Sequence, residues 1–133
     1  MPSRPFVDTN VLLHLISTDA AKAARAERVL AGRVVVSVQV LNEFAHVARR
    51  KQSLDWDELA QVLAGIRQFA EVHPLTVGTH ERGLALARRY QLGLYDAMIA
   101  AAAIEAACDT LLTEDFQAGQ VLADRLTIRN PFV

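Results

Sequence analysis

The feature that most constrains the fold is an alternation of short apolar runs with longer segments that carry helical patterning. The clearest run is Val34, Val35 and Val36, because three consecutive β-branched residues favour a strand. Strands joined by helical crossovers run parallel, and helices then cover both faces of the sheet. The pattern therefore predicts an α/β fold of three layers, α/β/α, with a central, mostly parallel sheet of four or five strands. The strands are expected at residues 4–7, 34–36, 72–75, 110–113 and 126–129.

Helices are predicted between these strands from apolar periodicity and from residues that begin helices. Ser37 is placed to cap the third helix, and Asp55 with Glu58 has the spacing of a capping box for the fourth. Thr9 or Asn10 is expected to cap the first helix. The predicted helices span residues 11–16, 20–30, 38–50, 54–70, 79–90 and 94–107.

Length and composition indicate a single domain, residues 1–133, in which 52% of the residues are hydrophobic. A net charge of −1 gives no basic footprint, so composition alone does not predict nucleic-acid binding. The lone Cys108 lacks a disulfide partner and is expected to fill the core. The chain opens with polar and proline residues, and its longest apolar run, 97–104, is too short to cross a bilayer. We therefore expect a cytoplasmic protein without a membrane segment.

Four acidic residues occupy positions where a carboxylate is costly or where a binding crevice is expected. Asp8 and Asp115 follow predicted strands, and ligands of parallel sheets bind beyond the carboxyl ends of the strands. Glu43 shares a helix face with apolar residues, which imposes a desolvation cost. Asp96 opens the most apolar helix, where the helix dipole keeps it ionised. Taken singly, each acid has a structural alternative. Asp8 could be a helix cap and Asp115 a turn residue. Glu43 could lie at the edge of the apolar stripe or pair with an arginine, and Asp96 could be a first-turn residue that the helix dipole favours.

Together these carboxylates predict a metal site. Four carboxylates in one pocket repel one another and should raise one another's pKa values in the absence of metal. Hard oxygen ligands are what Mg²⁺ or Mn²⁺ requires, and such an ion suits phosphodiester hydrolysis because it activates water and recruits phosphate oxygens. The pattern leaves open whether one ion or two bind.

The same residues carry a family resemblance that extends over essentially the whole chain. The chain resembles PIN-domain proteins, and specifically the VapC-type toxins of bacterial toxin–antitoxin pairs. Each fragment alone is a weak signal, but their order and spacing are specific. The matching segments are FVDTN at 6–10, NE at 42–43, YDAMIA at 95–100, LLTEDF at 111–116 and NPF at 130–132.

This resemblance implies a Rossmann-like PIN fold and endonucleolytic cleavage of RNA by an enzyme that requires Mg²⁺ or Mn²⁺. It also implies a homodimer that is inhibited by a cognate antitoxin protein. Asp8 and Asp96 match the principal metal ligands, whereas Glu43 and Asp115 complete the acidic pocket and are further candidate ligands. Glu114 falls where the family varies and is expected to face solvent. Thr9, Asn10 and Thr113 match accessory polar positions that orient carboxylates or water.

Two alternatives to a metal-dependent ribonuclease remain open. A catalytically inert PIN-like module that binds RNA or protein would predict the replacement of at least one acid, yet all four are present. A response-regulator receiver would need adjacent acids after the first strand, where Asp8 is followed by Thr9 and Asn10. It would also need an aspartate at the end of the central strand, where the chain has His73 and Pro74.

Other polar and aromatic residues give weaker signals. The four histidines show no spacing typical of a zinc site. The basic runs 49–51 and 88–89 are typical of helix ends, although they are also the best candidates for contacts with RNA phosphates. Trp56 and Phe69 belong to a helix that could pack on the core or meet a partner.

Overall fold

The computed structural model describes residues 4–133, which form a central six-stranded sheet with helices on both faces. The strands are β1 Phe6–Val7, β2 Val34–Ser37, β3 Ala70–His73, β4 Thr110–Leu112, β5 Val121–Leu122 and β6 Leu126–Arg129. The strand order is β3-β2-β1-β4-β6-β5, and only β5 and β6 pair antiparallel within the described residues. All of β2 is buried, as expected for a strand in a sheet that is covered on both faces. The predicted mostly parallel sheet is therefore confirmed.

In the described part of the chain, six α-helices cover the sheet. They are α1 Thr9–Leu12, α2 Ala20–Ala31, α3 Val38–Lys51, α4 Trp56–Phe69, α5 Val77–Tyr90 and α6 Leu94–Glu105, with a 3₁₀ turn at Leu13–Ile16 after α1. α6 packs on β2, β4 and β6 and supports α5, whereas α3 packs on β2, α1 and α4. Two predicted caps are confirmed: Ser37 Oγ accepts from Val40 N at 3.3 Å, and Asp55 with Glu58 forms the capping box of α4.

Strand order reverses at β1, and this reversal determines where the molecule can hold a ligand. The chain adds β2 and β3 on one side of β1, and β4 and β6 on the other. Phe6 lies beside Leu111 and Val7 beside Leu112, so Asp8 and Thr113 leave the sheet as neighbours. Open parallel sheets bind ligands at such a switch point, beyond the carboxyl ends of the strands.

The structure corrects several predicted boundaries. β5 was not predicted, because a two-residue strand that pairs only with β6 has too little apolar pattern, and the sheet therefore has six strands instead of four or five. The first helix begins at Thr9, not residue 11, and its last turn, Leu13–Ile16, is 3₁₀. Its N-cap is Asp8, whose side chain accepts from the Thr9 backbone, and not Thr9 or Asn10. Shifts of one or two residues occur at other element ends.

Small residues allow α5 and α6 to pack closely in the core. Residues 97–104 of α6 are all buried, which confirms the predicted buried helix. Gly83 of α5 is buried against Met98, and a Cβ at Gly83 would clash with the Met98 sulfur. Cys108 is 3% exposed and belongs to the core, as predicted, and burial raises the pKa of its thiol to about 11. Within residues 4–133 no helix is both long enough and apolar enough to span a membrane.

Candidate metal centre

Asp8, Asp96 and Asp115 converge at the switch point of the sheet. Asp8 follows β1, Asp96 lies in the first turn of α6, and Asp115 lies three residues beyond β4. One carboxylate oxygen from each of the three lies within 4.8 Å of the other two. These acids are 88 and 19 residues apart along the chain (96 − 8 and 115 − 96), so only the parallel topology brings them together.

Asp8 is the most enclosed of these acids, with 4% of its surface exposed. Its Oδ1 accepts from Thr9 N at 2.7 Å, and its Oδ2 accepts from Thr113 Oγ1 at 2.8 Å. Burial raises the pKa of Asp8 from 3.8 to about 6, while these two hydrogen bonds oppose that rise. Asp96 and Asp115 add smaller contributions that raise the pKa further. The expected mutual repulsion is therefore present, but desolvation is the larger cause.

The hydroxyl of Thr113 has all of its hydrogen-bonding positions occupied. It accepts from Asn10 Nδ2 at 3.3 Å and from Asp115 N at 3.1 Å. A hydroxyl has one proton and two lone pairs, so its proton is left for Asp8. Asn10 also accepts from the Glu114 backbone at 3.2 Å through Oδ1, which ties α1 to the loop after β4. The predicted accessory residues Asn10 and Thr113 thus fix the carboxylate of Asp8.

Glu43 faces the same cavity but is not one of the three clustered acids. Its Oε2 accepts from Thr9 Oγ1 at 3.1 Å, and its Oε1 accepts from Gln39 Nε2 at 2.8 Å. Gln39 also donates to the Tyr95 carbonyl at 3.1 Å, which links α3 to the start of α6. Glu43 is therefore held as a hydrogen-bond acceptor on the wall of the site.

Asp96 is half-buried at the start of α6. Burial raises its pKa, and the negative charges of Asp115 and Glu43 raise it further. Gly93 caps the helix without a side-chain hydrogen bond, so Asp96 is the acidic residue of the first turn. All four predicted acids thus line one cavity, and their negative charges repel one another.

The cavity has a volume of about 530 Å³ and is lined by the four acids, Thr9, Asn10 and residues that sequence reasoning did not single out. Among the latter are Gln39, His46 and Tyr95. Gln39 precedes Glu43 by four residues on α3, so helical spacing could have identified it. The donor set is made of hard oxygen atoms with no sulfur ligand, and a carboxylate cluster of this kind fits Mg²⁺ or Mn²⁺.

The prediction that Glu114 faces solvent is wrong. Its side chain is 26% exposed, and its Oε1 lies 2.7 Å from His14 Nε2. Lys22 Nζ lies 3.9 Å from the other carboxylate oxygen. Glu114 therefore joins the loop after β4 to the 3₁₀ turn and to α2, and it does not line the acidic cavity. The pattern could not reveal this contact because its partners are about a hundred residues apart.

Comparison with solved structures finds proteins of the same fold at low identity. The VapC20 toxin of Mycobacterium tuberculosis, described as cleaving the sarcin–ricin loop, has a TM-score of 0.64 and 23% identity over 83% of this chain and 88% of that chain. A toxin–antitoxin complex from Klebsiella pneumoniae has a TM-score of 0.72 and 20% identity over 96% of this chain and 97% of that chain. VapBC2 of Rickettsia felis, bound to a promoter DNA fragment, has a TM-score of 0.70 and 18% identity over 96% of this chain and 98% of that chain.

Comparison with curated protein sequences finds no match. The family model of the PIN domain, in contrast, matches residues 6–121, which include all four acids. Since that match covers most of the chain, the chain belongs to the PIN-domain family.

Proposed function

We propose that this protein is an endoribonuclease that requires Mg²⁺ or Mn²⁺ and acts as the toxin of a type II toxin–antitoxin pair. The observation that carries the proposal is the convergence of Asp8, Asp96 and Asp115 at the switch point, with one oxygen of each within 4.8 Å of the others. Membership of the PIN-domain family supports nuclease activity at this site. Among residues 4–133, no cysteine lines the cavity, and the only histidine that does so, His46, is exposed.

In this proposal Asp8 and Asp96 are the principal ligands of the ion, and Asp115 is a further ligand. The ion, when bound, lowers the pKa of water and offsets the negative charge of the scissile phosphate. Thr113 and the Thr9 backbone hold Asp8 as an ionised acceptor through hydrogen bonds of 2.8 and 2.7 Å. These hydrogen bonds fix the orientation of the Asp8 carboxylate and oppose the rise in its pKa that burial causes.

Glu43 has a different role in the proposed mechanism. Its two oxygens already accept from Thr9 and Gln39, so the carboxylate has a fixed orientation on the cavity wall. A carboxylate oxygen carries two lone pairs and can accept a further hydrogen bond. Glu43 is therefore proposed to accept a proton or a hydrogen bond from the attacking water, or to hold a second ion.

The proposed partners are RNA as substrate, a cognate antitoxin protein and a second copy of the chain in a homodimer. Support for an antitoxin comes from similar folds described as a toxin–antitoxin complex and as VapBC bound to DNA. RNA as substrate is supported by the toxin described as cleaving the sarcin–ricin loop. The homodimer rests on the family resemblance, and so does a cytoplasmic site of action.

Cleavage of RNA by the purified protein tests the proposal. We expect cleavage with Mg²⁺ or Mn²⁺, none in excess EDTA, and a loss of at least about a hundredfold in Asp96→Asn, equivalent to about 2.7 kcal/mol in the barrier. Asp124→Asn is the matched control, because Asp124 is exposed, does not line the cavity and has a positive φ of 58° that asparagine tolerates. Undiminished cleavage in EDTA or in Asp96→Asn would refute the metal-site assignment. Binding of RNA without any cleavage would favour the inert module instead.

A further inference from the structure

Two adjacent cavities lie along α3, and together they are termed the groove. Glu43 lines the cavity, and His46 and Val47, one turn further along the helix, also line it. The same two residues border a second cavity of about 340 Å³, whose other lining residues are Arg50 and Lys51. The two cavities therefore share a wall. Along α3, the side chains that line them change from the acidic Glu43 to the basic Arg50 within two turns.

Arg50 and Lys51 are available to a ligand. Both are exposed, and within residues 4–133 neither side chain forms a hydrogen bond, an ion pair or a ring contact. The adjacent Arg49 is different: its Nη1 donates to the Leu54 carbonyl at 2.9 Å, and its guanidinium lies 4.1 Å from the centre of the Trp56 ring. Arg49 thus stabilises the α3–α4 junction, whereas the side chains of Arg50 and Lys51 make no such contact within the described residues.

The positive charges of Arg50 and Lys51 can offset the repulsion between the acidic site and a polyanion. A site built from four carboxylates repels a polyanion, and the chain as a whole has a net charge of −1. The helical rise of about 1.5 Å per residue puts Arg50 roughly 10 Å along α3 from Glu43. That distance is about one Debye length at 0.1 M salt, so cations here can still offset the repulsion that the backbone meets at the acids.

We propose that Arg50 and Lys51 bind the phosphates of a single-stranded RNA substrate as it leaves the acidic cavity along α3. His46 and Val47 form the floor between the scissile phosphate and these contacts. The inference rests on the proposed ribonuclease function and assigns the surface that grips the substrate. The contacts are to phosphates, so they give affinity and position but do not select a base sequence.

Binding of a fluorescein-labelled single-stranded RNA, followed by anisotropy over a range of salt concentrations, tests this surface. The measurement uses Asp96→Asn with Mg²⁺, so that RNA remains uncut. Adding Arg50→Ala and Lys51→Ala should weaken binding at least tenfold at low salt. It should also reduce the slope of log affinity against log salt by about 0.7 for each lost phosphate contact, or about 1.4 in total.

The matched control removes two arginines elsewhere. Arg67 of α4 and Arg82 of α5 are exposed and line neither cavity, so Arg67→Ala with Arg82→Ala should leave both affinity and slope close to those of the parent. In the active protein, Arg50→Ala with Lys51→Ala should raise KM with little change in kcat, because the contact is made equally in the ground state and the transition state.

The outcomes distinguish the proposed RNA-binding surface from the proposed ribonuclease activity. Wild type that cleaves RNA, with affinity and slope unaffected by Arg50→Ala and Lys51→Ala, would overturn the surface and leave the ribonuclease standing. Binding that depends on Arg50 and Lys51 without cleavage would support the surface and overturn the enzyme. Equal losses in the control pair would show a nonspecific charge effect and overturn the surface. Unchanged RNA binding with loss of antitoxin binding would assign the groove to the protein partner.

Discussion

At the scale of single residues, the decisive conflict is at Asp8. Enclosure in the protein favours the neutral acid, whereas an ion ligand must be charged. Thr9 N and Thr113 Oγ1 oppose the effect of burial, and the resulting pKa of about 6 leaves Asp8 mostly ionised at neutral pH. The site thus retains a charged ligand that is poorly solvated, which favours the arrival of a cation.

This conflict predicts how stability depends on pH without metal. Because the folded pKa of Asp8, about 6, exceeds the ordinary value of 3.8, its protonated form favours folding, and that stability is lost as pH rises from about 4 to above 6. In EDTA, the unfolding free energy of wild type relative to Asp8→Asn should fall by about 3 kcal/mol between pH 3 and pH 7. Urea unfolding of both proteins measures it. A difference that is constant, or that grows with pH, would contradict the assignment.

At the scale of elements, α6 sets the position of Asp96, and its own position depends on how closely α5 approaches. Gly83 of α5 is buried against Met98, one turn from the cavity-lining Tyr95 and Asp96. Gly65 of α4 offers a contrast, because a Cβ there would meet nothing within 4 Å. The two glycines are in helix interiors, so their local propensities are matched.

Alanine at these two glycines should therefore have unequal effects. Gly65→Ala should stabilise the protein by roughly 0.5–1 kcal/mol, because alanine loses less backbone entropy in a helix. Gly83→Ala gains the same amount but must displace the flexible end of the buried Met98 side chain, so a net change close to zero is expected. Denaturant unfolding measures both changes. Stabilisation of similar size at both positions would mean that the α5–α6 contact is loose and does not constrain Asp96.

At the scale of the whole molecule, the site is a product of topology. The reversal of strand order at β1 brings Asp8 beside Thr113, and α6 returns to the same edge with Asp96. No segment contains the site by itself, because the three clustered acids come from three separate parts of the chain. This explains why the cluster coincides with the edge at which parallel sheets bind ligands.

How far the sequence predicts this arrangement depends on the range of each signal. The β-branched run of β2 and the apolar α6 are local patterns, so both elements were predicted, and strand ends then located Asp8 and Asp115. Contacts between distant side chains leave no local pattern. The Thr9 bond to Glu43 and the pairing of Glu114 with His14 therefore appeared only in the structure.

Thermal unfolding with and without Mg²⁺ tests most directly whether the acidic cluster is a metal site. An ion that binds only the folded state stabilises it by mass action, by about 2.7 kcal/mol at a hundred times Kd. Wild type should therefore melt higher in Mg²⁺ than in EDTA, whereas Asp96→Asn and Asp115→Asn should respond little. In EDTA at neutral pH, both variants should melt no lower than wild type, because each removes a repelling charge. A wild type indifferent to Mg²⁺, with both variants strongly destabilised in EDTA, would show that these acids are structural caps and not metal ligands.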